Sequence, residues 1–193
     1  RSCTRPGRAA AEHVEVVDPP KLDKLTAAAL YPAYTGLNTT DDLGKATRSE
    51  VVVQGAAVSL PLGTDFLLQG RANKPLCSVR IELDAAQERF ELELGPTADG
   101  SATGARFTQR ARDQLPQRRF EWAASNLLDS SGDSFSVPLL LRADGLDQLL
   151  DALQAAEQGT PLPNPLPWPA DAVIRITLED RDEIASPEPQ RLT

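Results

Sequence analysis

Hydrophobic residues in this chain recur at every second position over several segments, and at helical spacing in only one. In Cys77–Leu83, the residues Cys77, Val79, Ile81 and Leu83 face one way while Ser78, Arg80 and Glu82 face the other. In Arg89–Leu94, Phe90, Leu92 and Leu94 alternate with Arg89, Glu91 and Glu93. Period two marks strands with one buried face. Matching the two apolar faces sets the register of a hairpin, because a slip of one residue would turn every side chain over. Leu83 then opposes Phe90, Ile81 opposes Leu92 and Val79 opposes Leu94, with Ala85–Glu88 as the loop. On the wet face Asp84 meets Arg89 and Arg80 meets Glu93, while Glu82 is left opposite Glu91, a repulsion of about a few tenths of a kcal/mol. The same alternation marks Phe135–Leu141, placed after the turn Asp129–Asp133, and Ile174–Leu178.

Shorter signals predict further strands. They lie at His13–Val17 (closed by Asp18-Pro19-Pro20), at Leu22–Leu30 as an edge strand, and at Val51–Val53, Ala57–Leu60 and Thr64–Arg71. Weaker ones follow at Ala105–Gln109 and Arg118–Ala123. Asn38–Glu50 reads as a polar loop and Gly95–Gly104 as a turn region. Pro187 and Pro189 confine Ile184–Leu192 to an edge strand or trailing arm. One segment breaks the pattern: Leu146, Leu149, Leu150 and Leu153 fall at i, i+3, i+4 and i+7, one face of a helix. Asp144 suits its N-cap, Asp147 its first turn, and Gly159 followed by Pro161 its end, which predicts a helix over about residues 145–158. The run from Pro161 to Pro169 has proline at every second residue and must be extended. About nine short strands and one inserted helix with its proline-rich arm (144–169) predict an all-β fold. The expected architecture is an antiparallel β-sandwich of immunoglobulin or fibronectin type III kind, without the alternating units of a parallel sheet.

Composition narrows the function. Twenty Lys and Arg against 28 Asp and Glu give a formal charge of −8, which argues against nucleic acid or an anionic membrane as partner. No apolar run approaches the roughly 18 residues of a membrane span. One His and two Cys leave little for a zinc site or a histidine-based triad. No nucleophile elbow, phosphate-cradling loop or metal motif occurs either, so the chain reads as non-enzymatic, with no cofactor. It contains no Met and opens Arg1-Ser2-Cys3-Thr4-Arg5, as expected of a piece excised from a longer polypeptide. Residues 1–12 read as a disordered lead-in and 13–193 as one domain, with 13–20 alternatively the end of a preceding module.

Three stretches and the C-terminal end carry a family likeness. Val16-Val17-Asp18-Pro19-Pro20, Tyr31-Pro32-Ala33-Tyr34-Thr35-Gly36 and Gly70-Arg71-Ala72-Asn73-Lys74-Pro75-Leu76 resemble Ig-like modules of large bacterial cell-envelope proteins of planctomycete type. The closing 176–192 stretch (ITLEDRDEIASPEPQRL) is similar to the last two strands of such modules, joined by a tight turn. The likeness departs at Asp180-Arg181-Asp182-Glu183, where the family has a turn glycine, and at the 144–169 insertion. It implies an extracytoplasmic structural or protein-interaction module of a membrane-anchored protein, whose partners are other domains of the parent chain or envelope proteins.

Few side chains stand out as candidate sites. Asp180, Asp182 and Glu183 could offer oxygens to Ca²⁺, but fewer than the six to eight that the ion takes, which favours a solvated turn. Asp129-Ser130-Ser131-Gly132-Asp133 lacks the bidentate Glu of a calcium loop and reads as a β-turn. Tyr31, Tyr34, Trp122 and Trp168 are the large amphipathic aromatics; most are expected in the core, with Trp168 in the proline arm the expected exception. An exposed surface of Trp168, Tyr34 and Tyr31 would stack a sugar ring or a partner side chain, which makes a carbohydrate-binding sandwich the alternative function. Cys77 is expected to be a small core residue, and a disulfide to Cys3 would require an oxidising compartment. Asn38-Thr39-Thr40 matches an N-glycosylation acceptor.

Overall fold

In the computed structural model the described residues are 17–53, 55–86, 88–96, 103–110, 118–122, 127–129 and 131–193. The expected lead-in, Cys3 and nearly all of the His13–Val17 strand lie outside them. In chain order the elements are β1 Leu22–Leu30, β2 Thr39–Thr40, β3 Ala46–Thr47, β4 Ser49–Val52, β5 Asp65–Ala72, β6 Leu76–Ala85 and β7 Glu88–Pro96. There follow β8 Thr103–Arg110, β9 Arg118–Trp122, β10 Ser134–Arg142, α1 Gly145–Glu157, β11 Leu166–Pro169, β12 Val173–Asp180 and β13 Gln190–Leu192. They build a five-stranded sheet, β11-β10-β5-β1-β4, a six-stranded sheet, β13-β12-β6-β7-β8-β9, and the small ribbon β2-β3.

The two large sheets share one apolar core, so the chain is an all-β sandwich carrying one helix. Leu25, Ala27 and Phe66 fill it from the five-stranded sheet, and Val79, Leu92 and Ile176 from the other. The β6–β7 hairpin takes the register that its alternating faces require, with Leu83 opposite Phe90, Ile81 opposite Leu92 and Val79 opposite Leu94. Pairing runs on to Ala85 and Glu88, which the expected loop had included, and Ala86 takes a φ of 52°. β12 joins the other side of β6 with Ile176 opposite Ile81.

Leu22–Leu30 is not the edge strand expected but an inner one, paired to β5 on one side and β4 on the other; four further expectations change. Cys77 does not lie in the core: the β12–β6 register slips between Glu179 and Asp180, which pair with Ser78 and Leu76. A bulge of this kind breaks the alternation locally, so Leu76 takes the buried position and Cys77 is half-exposed. Ala57–Leu60 is not a strand. Gly55 turns the chain with a φ of 85°, and the segment instead hands single hydrogen bonds to the end of the chain, Val58 N–H to the Thr193 carbonyl and Thr193 N–H to that of Ala56. The polar loop Asn38–Glu50 holds the β2–β3 ribbon and the first half of β4.

The fourth concerns the insertion. The helix forms, but the Asp144 side chain accepts no capping hydrogen bond from the backbone; its carboxylate accepts from the Gln148 side chain one turn on. The proline arm does not merely trail back. Its residues Leu166–Pro169 become β11, pairing parallel to β10 with Leu139 opposite Leu166 and Leu141 opposite Trp168. The unit β10–α1–β11 is therefore a parallel crossover within an otherwise antiparallel sheet, and all four β11 residues are buried. Proline can occupy this edge because an edge strand leaves one row of backbone donors unused. Leu149 and Leu153 of α1 enter the core. The Trp122 indole N–H donates to the Pro163 carbonyl at 3.0 Å, and Arg118 pairs with Glu157, so the insertion is tied to the far edge strand β9.

Candidate functional site

Three of the four stretches named above, those holding Asp18, Lys74 and Asp180, meet at one side chain, Lys74. The turn after β5 is pinned to the chain entering β1 by Asn73, whose backbone N–H donates to the Lys21 carbonyl while its side-chain oxygen accepts the Lys21 N–H. Next to it the Lys74 ammonium donates to the Asp18 carbonyl and lies against the Asp180 carboxylate. Asp180 is only 1 % exposed. Its Oδ1 accepts the Asp182 and Ile184 N–H groups at 2.9 and 3.0 Å, which shapes the turn between β12 and the C-terminal strand. The hydrogen bond from Lys74, opposed by burial and helped by those two backbone donors, holds the Asp180 carboxyl below its ordinary pKa. Glu183 takes a φ of 60°, the left-handed region that favours glycine. The backbone demands glycine geometry although the side chain is absent from the glycine class.

The three acids named as weak calcium candidates are placed differently from one another. Asp180 spends both oxygens on Lys74 and the backbone, while Asp182 and Glu183 are exposed. Among the described residues no three His, Cys, Asp or Glu side chains converge on a point where a metal could sit. The Asp129–Asp133 stretch is a self-satisfied turn: Asp129 Oδ1 accepts the Gly132 N–H at 2.7 Å, and Ser131 donates to both Asp129 and Asp133. Hydrogen bonds from Ser131 and Ser134 lower the Asp133 pKa.

The aromatic surface also changes. Trp168 is 2 % exposed, because as part of β11 it points into the core beside Leu141 rather than out from an arm. Tyr31 is half-buried against the core, its backbone N–H and carbonyl both clasped by the Asn38 side-chain amide. The glycosylation-like triplet thus begins with a structural clasp. Only Tyr34 of the expected trio stands in solvent, 76 % exposed, with its hydroxyl donating to the Leu62 carbonyl. Cys77, for its part, has its thiol pKa pushed up by partial burial and by the Glu179 charge, the reverse of a reactive thiolate.

The two outer faces of the sandwich differ. On the six-stranded sheet charges interlock across strands: Arg175 reaches Asp84 at 2.8 Å and Glu82 at 3.6 Å, and Arg89 reaches Asp84 at 2.8 Å. Burial would raise the Asp84 pKa, but Arg89 and Arg175 together lower it. Glu91, 7 % exposed, is held by Arg110 at 2.6 Å and Arg80 at 3.5 Å. The expected repulsion between Glu82 and Glu91 is removed because each acid has its own arginines. On the five-stranded sheet, the row Val52–Thr26–Gln69–Ser136 carries no charge, and in the row Glu50–Ala28–Leu67–Pro138 the one charge is Glu50 on the outer strand β4. Beside these rows, Lys24 pairs with Glu50, Arg71 stands exposed opposite Lys24 and Ser134, and Arg48 pairs with Asp65 at 3.0 Å. A cleft of about 250 Å³ opens on this face between Lys24, Thr26, Gln69, Arg71, Ser134 and Ser136.

Lys74 and this cleft escape a reading by residue type, because neither holds a group that is reactive in isolation. The clue to Lys74 in the sequence is its place inside one of the resembling stretches; the cleft has no comparable signal. No helix among the described residues is long and apolar enough to cross a membrane. No family model, curated protein or solved structure matches this chain.

Proposed function

We propose that the chain is a non-catalytic structural and protein-interaction module of immunoglobulin or fibronectin type III kind, belonging to a larger extracytoplasmic envelope protein. The observation that carries this reading is the contrast between the outer faces. The middle of the five-stranded sheet's outer face, at Thr26, Ala28, Leu67, Gln69, Ser136 and Pro138, brings no charge that must shed water on contact. Docking through the opposite face would desolvate a lattice of ion pairs at considerable cost. The chemistry-bearing residues, Lys74 and Asp180 foremost, are engaged in holding turns together.

A photo-crosslinking amino acid placed at Gln69, and separately at Glu93 on the charged face, tests this in the native cells. The reading expects envelope proteins to be captured from position 69 and not from 93. Equal capture from both, or recovery of the protein with the cytosolic fraction, would refute it. A second reading, carbohydrate binding, has the cleft in its favour: amide, hydroxyl and guanidinium groups of Gln69, Ser136 and Arg71 line a volume that suits a sugar residue. A glycan array bound by the native chain and not by Arg71→Ala would favour it, and a blank array would retire it.

A further inference from the structure

On the outer face of the five-stranded sheet, three polar side chains stand together without a partner. Gln69 and Arg71, two residues apart on β5, share one face, and Ser136 of β10 lies opposite Gln69. All three line the cleft of about 250 Å³. Among the described residues, none of these three side chains makes a hydrogen bond or an ion pair. Arg48, toward the opposite end of β1 and β5, is held quite differently: its guanidinium donates to the Asp65 carboxylate and to the Ala28 and Asp65 carbonyls.

The charges around Arg71 are already engaged. Asp129, which also lines the cleft, gives Oδ1 to the Gly132 and Ser134 N–H groups and Oδ2 to the Ser131 hydroxyl. Asp133 feels the Arg71 charge, but its Oδ1 accepts the Ser131 and Ser134 hydroxyls. Lys24, directly opposite Arg71 in β1, has Glu50. Arg71 is left with five N–H donors, no acceptor in the chain and a second cation across the strand, a pairing that disfavours the empty cleft.

A carboxylate answers this arrangement. The guanidinium fork takes its two oxygens in parallel bonds, while the Gln69 amide and the Ser136 hydroxyl can donate or accept alongside. The cleft is smaller than the roughly 300–1,000 Å³ of cofactor sites and suits one side chain. It offers no ring for a sugar to stack on, since Phe135 is 2 % exposed and its ring lies over Gly70. Thr26, Gln69 and Ser136 belong both to the cleft and to the uncharged middle of the sheet, so one partner would cover the two together.

We infer that Arg71, Gln69 and Ser136 form the receptor for an aspartate or glutamate side chain of a protein partner seated on this face. The inference rests on the proposed docking role of the sheet and names the chemistry of what docks there.

Titration of the whole chain with N-acetylglutamate methylamide, followed by NMR at about 0.15 M salt, reads the site directly. Shifts should saturate at the Arg71 and Gln69 side chains with a Kd of about 1–30 mM, as suits so small a ligand. The glutamine analogue, alike in shape but uncharged, should bind at least about tenfold more weakly. Arg71→Gln should abolish saturation, and Arg71→Lys, which keeps the charge and loses the fork, should weaken it about threefold to tenfold. Arg71→Gln should move the melting temperature by no more than about 2 °C; a larger fall overturns the inference by giving Arg71 a structural role. Equal binding of the glutamine analogue overturns it too, as does tighter binding of glucuronate or inorganic phosphate, which would assign the cleft to a sugar acid or a phosphate. In the native cells, with the crosslinking residue at Leu67 so that Gln69 stays in place, Arg71→Glu should cut capture at least about tenfold. Capture undiminished in Arg71→Glu overturns the inference and leaves the docking role standing, whereas no capture from the native chain refutes both.

Discussion

The two sheets of this sandwich are held in different ways. In the six-stranded sheet stability is spread over a long series of equivalent contacts, with β6, β7, β8 and β12 each adding alternate apolar residues to the core and alternate charges to the outer lattice. In the five-stranded sheet, order depends on a few points. Gly70 lies under the Phe135 ring so closely that a Cβ would overlap it, and Gly145 presses α1 on to the Trp168 carbonyl with no room for a methyl. The edge strand β11 reaches its place only through a helix and a stiff stretch holding three prolines, Pro161, Pro163 and Pro165, and Lys74 ties the β5 turn to β12. A distributed arrangement tolerates the loss of one contributor, whereas a pinned one does not.

The largest test of this contrast falls on Trp168. Truncation to Ala should remove about 3–5 kcal/mol by urea unfolding, since the side chain is buried and nothing nearby can collapse into the space. Gly145→Ala should lose about 1–3 kcal/mol for one added methyl, because the atom that it meets is backbone. Comparable losses from single alanine changes at Arg106 or Glu93, on the outer face of the six-stranded sheet, would erase the distinction.

The same contrast explains what was legible in the sequence. The β6–β7 register follows from period two alone, since each residue's face is decided by its immediate neighbours. The helix was equally plain, because leucines at i, i+3, i+4 and i+7 are a local signal. What the helix and arm accomplish was not, because parallel pairing of Leu166–Pro169 with Leu139–Arg142 is a long-range choice that leaves no periodicity in a run dominated by proline. Trp168 was misplaced for that reason. Cys77 was misplaced because a bulge is set by the partner strand and is invisible in its own. Of the candidate sites, Asp180 was noticed as an acid but its meaning depends on Lys74, far away in the chain.

Lys74→Met should come next in size, lowering the melting temperature at neutral pH by roughly 5–10 °C, because Asp180 is left charged and buried without its partner. The pH dependence gives the cause. Asp180 has a folded pKa below its unfolded value near 4, so its contribution is complete above that value and is lost as pH falls through the folded pKa. Removing Lys74 raises the folded pKa. The native and variant melting curves should therefore converge as pH falls below the native folded pKa, where the carboxyl is protonated in both. Curves that stay parallel would show Lys74 acting through packing of its stem alone.

The smallest effects sharpen the comparison at two turns. Ala86 and Glu183 both adopt left-handed backbone, at φ of 52° and 60°, which disfavours any residue with a Cβ. Replacing either with glycine relieves strain but loosens the unfolded chain, and the balance should favour the folded state by about 0.5–1 kcal/mol. The two turns then differ in kind. Ala86 closes a hairpin whose register is already imposed by the strands on both sides, so Ala86→Gly should raise stability and leave hydrogen exchange in β6 and β7 otherwise unchanged. Glu183 sits in the turn that Asp180 and Lys74 organise, so Glu183→Gly should also slow exchange at the Asp182 and Ile184 amides, which donate to Asp180. Equal, purely global protection in both variants would mean that the Lys74 joint is no more a local pin than any ordinary hairpin turn.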